Sequence, residues 1–551
     1  MKAVKAEGWG SRLGLILAMA GNAVGLGNFL RFPVQAVQNG GGAFIIPYLV
    51  CFLIMGIPLL WIEWAMGRFG GRRGHHSPPF IIASMAKNHL WKYAGVIGIF
   101  TNMAIAAYYS YIESWTLSYS LRSATGWFHG KSEVQVLEHF GNYTSMQSHF
   151  LGLPNEALLF FVICVLLNTL ILSKGLRGIE KMAKIGMPLL IAFAMFLVVN
   201  GLVNKHAASG IYDPFTGVNF LWTPQFDSLL KPGVWLAAAG QIFFTLSVGM
   251  GTIHCYAAYL KSNEDVALNA VAAGFTNEFV EIVLGSMIVI PIAAGFLGLD
   301  WVKENISFGV AFQTMPFLFD NWGLILGSIS GLFWFGLLFF AGITSSLAMG
   351  MPWISFLKDE FGWKQKPAAY TFGLFVFILG LPTVLFYNQG VFSEYDYWAG
   401  TVSLVVFALL EVILFSWIFG IKRGWEEINL GADIRIPSIY RFILRFVTPV
   451  LLLFVLAGSI FTPAGNNWLD AFNSLFHGNG WQLDSSSMIN HLWNSEIKNQ
   501  IANASASEVG KLKEKLYLIN GARILLVTVF TGILVLVYLA GKRKTKHMFQ
   551  K

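Results

Sequence analysis

A chain of 551 residues that is 55% hydrophobic and only 12% charged, with a mean hydropathy of +0.60, is not built like a soluble globule; its apolar residues come in long blocks parted by short charged loops, as in a membrane protein. The formal charge of +8 does not point to nucleic acid, because the basic residues gather in the short loops beside the apolar blocks. Cys51, Cys164 and Cys255 lie inside those blocks, which argues against a disulfide framework, and the absence of Cys/His metal spacing, HExxH and GxSxG motifs argues against an enzyme.

In chain order, apolar segments run over roughly 12–37, 42–67, 90–122, 158–173, 185–203 and 233–259, then 267–298, 325–356, 368–387, 397–419, 438–461 and 520–541, which predicts an all-α integral membrane protein of 12 transmembrane helices. The first block has a charged lead-in and no small-residue cleavage site, so no removable signal peptide is expected. Basic residues follow alternate spans: Arg68, Arg72, Arg73 and Lys87; Lys174, Arg177, Lys181 and Lys184; Lys358, Lys364 and Lys366; Lys422 and Arg423; and the terminal KRKTKH. The positive-inside rule places these loops and both termini in the cytoplasm, and the longer loops 123–157, 204–232, 299–324 and 462–519 outside. The chain divides into 1–203 (tail and spans 1–5), 204–419 (outer loop and spans 6–10) and 420–551 (spans 11 and 12, the long outer loop and the basic tail).

Two spans are interrupted where interruption is most costly. Gly21, Gly25 and Gly27, beside Asn22 and Asn28, break the first span in AMAGNAVGLGNFLRFP; Ser247, Gly249 and Gly251 break the sixth in FFTLSVGMGT. Unpaired backbone in hydrocarbon costs several kcal/mol per group, so a break belongs where it lines a protein-enclosed cavity. Gly21 and Gly25 alone fit a small-residue packing face. The matched second break, opening a second five-span set, favours a transporter binding site instead. Amides at a half-helix amino end hold a carboxylate, and freed carbonyls hold a metal ion. Oxygen donors recur nearby at Asn22, Asn28, Thr245, Ser247, Asn277, Thr344 and Ser345.

NAVGLGNFLRFP with NGGGAFIIPYL, GVWLAAAGQIFFTLSVGMG and FFAGITSS together resemble the neurotransmitter:sodium symporter family, in particular bacterial amino-acid transporters of the leucine-transporter (LeuT) type. The resemblance covers about 9–462 and the last span. It implies a LeuT fold with a 5+5 inverted repeat, helices 1–5 against 6–10, and helices 1 and 6 unwound at mid-membrane. It also implies Na⁺-coupled symport of an amino acid by alternating access, in a plasma or bacterial inner membrane.

Carried over residue by residue, the resemblance implies a first sodium site at Ala23, Asn28, Thr245 and Asn277, completed by the substrate carboxylate. A second sodium site is implied at Gly21, Val24, Ala341, Thr344 and Ser345. The substrate pocket would be lined by Asn22, Ala23, Leu26, Gly27, Ile105, Tyr109, Phe244, Thr245, Ser247, Met250, Ser345 and Met349. Leu26 and Gly27 amides and the Tyr109 hydroxyl would take the carboxylate. Carbonyls at Ala23, Phe244 and Thr245 and the Ser247 hydroxyl would take the amine. Arg31 with Asp396 would form an outer ion pair, Phe244 over Tyr109 with Phe312 an outer lid, and Trp9, Tyr259 and Asp359 an inner gate.

Departures from the family sharpen the expectation. Gly25 stands where monoamine carriers have an aspartate, so the substrate should bring its own carboxylate. Glu281, four residues after Asn277 and on the same helix face, can supply the negative charge that animal relatives take from chloride, which predicts chloride independence; whether a proton returns through it stays open. Met250 and Met349 replace bulkier or branched residues with flexible ones, which suits several hydrophobic side chains, aliphatic or aromatic. Ala6 stands where the inner-gate arginine is expected, with Lys5 adjacent as a substitute. Glu63 would satisfy amides freed by the breaks, while Glu113, Glu278 and Glu411 read as packing-level hydrogen bonders and His254 as a packed helix histidine. The expected partners are the amino acid, two Na⁺ ions and membrane lipid, with no nucleic acid and monomer or dimer left open. An amino-acid receptor without transport, and a Na⁺/Cl⁻-dependent relative with another amino-acid substrate, stand as alternatives.

Overall fold

A computed structural model describes residues 8–204 and 212–549, with side chains as far as Arg543. The Lys5 and Ala6 reading lies outside the described residues. Among those described, nine helices are long and apolar enough to cross a membrane, or ten if the bent pair Arg12–Ala23 and Leu26–Gln38 is one span. Two shorter apolar helices, Glu156–Leu172 and Pro232–Leu246, fall at the expected fourth and sixth spans.

Several helices outrun the apolar blocks that announced them. The last begins at Ala506 rather than near 520, because SEVGKLKEKLYLI is rich in helix formers and carries the helix out of the apolar zone. The fifth begins at Leu176, so Arg177, Lys181 and Lys184 form a polar first turn below the apolar stretch.

At the centre, the helix Leu324–Phe361 packs along Gly95–Ala124 and also against Arg12–Ala23. Small residues permit this closeness. A Cβ on Gly331 would stand 2.7 Å from Ser123 Oγ, and one on Gly342 would stand 3.4 Å from Glu113 Cγ. The core is therefore a bundle in which two long helices face the two broken ones.

Buried ion pairs fasten both ends of the bundle. At one end Arg122 grips Glu156 through Nε (2.8 Å) and Nη2 (2.6 Å), with Trp127 under its guanidinium at 4.3 Å. At the other, Arg68 Nε meets Glu427 Oε1 at 3.0 Å and Arg68 Nη1 donates to the Leu430 carbonyl, while Arg72 takes the second carboxylate oxygen. The long loop between the last two spans folds into helices Trp468–Phe476, Met488–Leu492 and Ser495–Asn503. Trp468, Phe472 and Trp481 roof an apolar groove of about 820 Å³ against Met55, Leu236 and Phe454.

Candidate substrate and sodium site

The first break is short. The helix from Arg12 ends at Ala23; Val24 (φ −70°, ψ 95°) and Gly25 (φ −121°, ψ −168°) are extended, and Leu26 starts a new helix bent by 46° from the first. The second break is longer. Ser247 is left-handed (φ 52°), as are Gly249 (φ 72°) and Gly251 (φ 81°), before the helix resumes at Thr252. Glycine is required at 249, where a Cβ would enter the Leu404 carbonyl oxygen.

The two breaks hold one another. Ser247 Oγ donates to the Asn22 carbonyl at 2.9 Å, and the Asn22 amide donates to Thr252 Oγ1 at 3.2 Å. Groups freed by the unwinding find partners on neighbouring helices, as burial demands. The Gly25 amide donates to Asn28 Oδ1 (2.8 Å), the Leu26 amide to the Tyr109 hydroxyl (2.9 Å) and the Gly249 amide to Glu63 Oε1 (2.6 Å). The Met250 carbonyl accepts from Asn102 (2.6 Å), a residue that the sequence reading missed. Its signal was an asparagine inside an apolar span.

The expected pocket residues gather here. Asn22, Ala23, Leu26, Tyr109, Thr245, Ser247, Met250 and Ser345 are all buried, as are Ile105 and Met349. Ile105 lies one turn before Tyr109 and Met349 one turn after Ser345, so each extends the same helix face. Gly27 carries no side chain because Phe244 lies on it: a Cβ there would stand 2.5 Å from the ring. Gly25 is equally tight, its would-be Cβ 2.8 Å from the Tyr109 hydroxyl and 3.0 Å from Ser345 Oγ.

Asn28, Thr245 and Asn277 of the first expected sodium set come together, as do Gly21, Ala341, Thr344 and Ser345 of the second. The Asn28 amide reaches Thr245 Oγ1 at 3.2 Å and Asn277 Oδ1 at 2.9 Å, and the Asn277 amide reaches Thr245 Oγ1 at 2.9 Å. For the second set, Ser345 Oγ donates towards the Gly21 and Asn22 carbonyls at 3.4 and 3.3 Å, and Thr344 Oγ1 towards the Ala341 carbonyl at 3.2 Å. Gly21 is pressed on Thr344, with 3.1 Å from a would-be Cβ to the Thr344 Cβ. Hard cations take oxygen ligands, so both donor sets fit Na⁺.

Glu281, fully buried, stands directly behind the first set. Its carboxylate accepts from the Tyr48 hydroxyl (2.6 Å), the Gln241 amide and the Thr245 hydroxyl, with the Asn277 amide at 3.5 Å. Tyr48 and Gln241 were not foreseen, although they stand within NGGGAFIIPYL and GVWLAAAGQIFFTLSVGMG; a tyrosine and a glutamine in apolar spans were the signal. Glu113 accepts from Asn168 (3.0 Å) and Ser346 (2.8 Å), a packing role, and Glu278 from the Asn277 amide at 3.4 Å. Glu411 and His254 are both fully buried, His254 packed in its helix against Phe407. His254 Nε2 lies 3.5 Å from Glu411 Oε1, and with Glu63 they form a fully buried cluster whose ligand atoms lie within 4.8 Å of one another.

The gates are arranged differently from the sequence expectation. Arg31 and Asp396 make no direct ion pair: the Arg31 guanidinium lies over the Phe244 ring, 4.6 Å from its centroid, while Asp396 Oδ1 accepts from Tyr108 at 2.7 Å. Tyr108 occupies one oxygen of the carboxylate, and the aromatic face offers Arg31 a cation–π partner. Phe312 is not part of a lid with Phe244. It is fully buried among Trp115, Tyr119, Phe140 and Phe335, at 5.4 to 5.7 Å between ring centroids. Nor does Phe244 make a ring contact with Tyr109; its face is taken by Arg31 and its edge by Gly27. At the other end, the Trp9 indole donates to the Tyr256 carbonyl (3.1 Å) and the Tyr259 hydroxyl lies 3.5 Å from Ser355 Oγ. Asp359 accepts the His76 amide at 2.7 Å and has His76 Nδ1 at 3.2 Å. His76 was overlooked because the loop after the second span was read for its arginines.

A family model for the sodium:neurotransmitter symporter family matches residues 6–136 and 139–494. The chain belongs to the sodium:neurotransmitter symporter family. It is 30% identical over 490 residues to an uncharacterized sodium-dependent transporter of Methanocaldococcus jannaschii, covering 87% of this chain and 93% of that one. It is 26% identical to the sodium-dependent nutrient amino acid transporter 1 of Drosophila melanogaster, covering 82% and 77%. Among solved structures, MhsT in complex with L-phenylalanine matches with a TM-score of 0.72 at 28% identity, over 82% of this chain and 99% of MhsT. The chain is thus a sodium-dependent, multi-pass membrane transporter of LeuT-like fold, and not an enzyme.

Proposed function

We propose that the protein carries a hydrophobic L-amino acid, aliphatic or aromatic, into the cell with Na⁺ by alternating access, without chloride. Twelve helices span the membrane, counting the bent first pair and the two shorter apolar helices, with helices 1–5 and 6–10 as inverted repeats. Both termini face the cytoplasm of a plasma or bacterial inner membrane. The observation that carries the reading is the meeting of two broken helices. Ser247 Oγ of the second break donates to the Asn22 carbonyl of the first, and the amino end of Leu26–Gln38, with the Tyr109 hydroxyl, lies beside the carbonyl end of Arg12–Ala23 and Ser345. Such an arrangement offers amides to a carboxylate and carbonyls to a cation.

The first Na⁺ would be held by Ala23, Asn28, Thr245 and Asn277, the second by Gly21, Val24, Ala341, Thr344 and Ser345. Gly25 supports a substrate with its own carboxylate, since no acid stands at that point and no side chain fits there. Glu281 can supply a negative charge one hydrogen bond behind Thr245. The relatives, one a nutrient amino acid transporter and one solved with L-phenylalanine, support an amino acid of this class. Met250 and Met349 give the apolar wall flexibility. Competition of labelled leucine uptake by a panel of amino acids tests the substrate class: hydrophobic members should compete best, and a small polar or acidic amino acid as the best competitor would overturn it.

A further inference from the structure

We propose that His76 is the cationic partner of the inner gate, clamping Asp359 when the cytoplasmic side is closed. The inference rests on the transport reading and on its assignment of this end of the bundle to the cytoplasm. His76 lies in the loop HHSPP that follows the helix ending at Gly71. Its backbone amide donates to Asp359 Oδ2 (2.7 Å), and its Nδ1 lies 3.2 Å from Oδ2 and 3.3 Å from Oδ1. The imidazole stacks on the Tyr259 ring at 4.4 Å with 26° between planes. Tyr259 reaches Ser355 Oγ at 3.5 Å, and Trp9 is tied three residues earlier on the same segment, to the Tyr256 carbonyl.

Three elements therefore meet at one side chain, the loop after the second span, the lower end of the second broken helix and the end of Leu324–Phe361, and Trp9 ties the segment before Arg12 to the second of them. An inward opening that moves the lower half of that broken helix from Leu324–Phe361 has to break the stack or the imidazole–carboxylate contact. No arginine occupies this point among the described residues, and a histidine differs from an arginine in a way that can be read. It changes charge near neutral pH, whereas arginine stays charged.

Other charges face the same space. Arg72, Lys174, Arg177 and Lys261 line the cavity of about 840 Å³ that His76 and Tyr259 share. Arg72 is engaged by Glu427. Lys174, Arg177 and Lys261 are the further cations on this space. The charged imidazole holds Asp359 by an ion pair and the neutral one only by a hydrogen bond. The clamp should accordingly weaken as pH rises.

The test uses the full chain in Na⁺, with Cys255→Ala and Ser355→Cys introduced. Ser355 is fully buried behind Tyr259, so its alkylation rate reports opening of the inner gate. At pH 6.5, His76→Ala and Asp359→Asn should each raise the rate about fivefold, the scale of a partly exposed ion pair. The double variant should be no faster than either single one. His76→Arg should restore the slow rate and make it independent of pH. His76→Gln, which keeps a donor without charge, should resemble the unmodified chain at high pH. An unchanged rate in His76→Ala, or a pH dependence that survives in His76→Arg, would overturn the proposal. Na⁺-dependent leucine binding measured on the same samples separates the two levels: if it persists, only the gate assignment falls, and if every variant and the parent chain lack it, the transport reading falls first.

Discussion

Replacing Glu281 by serine tests how the first sodium site is charged. An ion held at Thr245 would lie about 5 Å from the Glu281 carboxylate, one hydrogen bond and one coordination bond away. At an effective dielectric of about 20, two unit charges at that distance attract by ~3.3 kcal/mol, roughly 250-fold in affinity. The substitution also strips the acceptor from Tyr48 and Gln241, and unmet buried donors cost about 1–3 kcal/mol each. A chloride ion in the vacated space would restore both the charge and the acceptor. The assay is labelled leucine binding against Na⁺ concentration in chloride and in gluconate. The unmodified chain should give one curve in both salts. Glu281→Ser should need Na⁺ raised by tenfold to a few hundredfold in gluconate, an order-of-magnitude range on the same Coulomb basis, and should recover in chloride. A chloride requirement in the unmodified chain, or identical curves for the variant in both salts, would refute the reasoning.

Other consequences follow from single contacts. Tyr109→Phe removes the hydroxyl that stands beside the Leu26 amide and would donate to the substrate carboxylate, and should raise the leucine Kd about 10- to 150-fold, the range of one hydrogen bond to a charged group; calorimetric titration with an unchanged Kd would take Tyr109 out of the carboxylate subsite. Gly25→Asp places its Cβ 2.8 Å from the Tyr109 hydroxyl and a carboxylate where the substrate's belongs, so leucine binding should vanish in an equilibrium binding assay, and retained affinity would contradict the placement. Glu156→Gln leaves the buried Arg122 guanidinium without its charge partner, a loss of about 3–5 kcal/mol for a buried pair; the thermal unfolding midpoint should drop by several degrees while leucine affinity well below it stays the same.

Much of this site was legible in the residues because the breaks are written in glycine, asparagine and serine against an apolar background. Gly25, Ser247 and Gly249 mark the unwound backbone, and Asn28, Thr245 and Asn277 do come together in space. Residue type and family resemblance could not fix which of several available partners a charged side chain takes. Arg31 prefers the Phe244 face because Tyr108 already serves Asp396, and that choice depends on three helices at once. Phe312 reads as a lid by its place in an outer loop, yet the aromatic cluster around Trp115 offers it more complete burial. His254 looked like a single histidine on one helix; its neighbours Glu63 and Glu411 come from helices far away in sequence. His76 was hidden for the same reason, since Asp359 is 283 residues further along the chain.

The central claim is coupled transport, and proteoliposomes holding the purified chain test it most directly. With an inward Na⁺ gradient, labelled leucine should accumulate above its equilibrium level, and dissipating the gradient or replacing Na⁺ by choline should abolish the accumulation while Na⁺-loaded vesicles still perform counterflow. Binding of leucine without either uptake or counterflow, or uptake indifferent to Na⁺, would contradict the account.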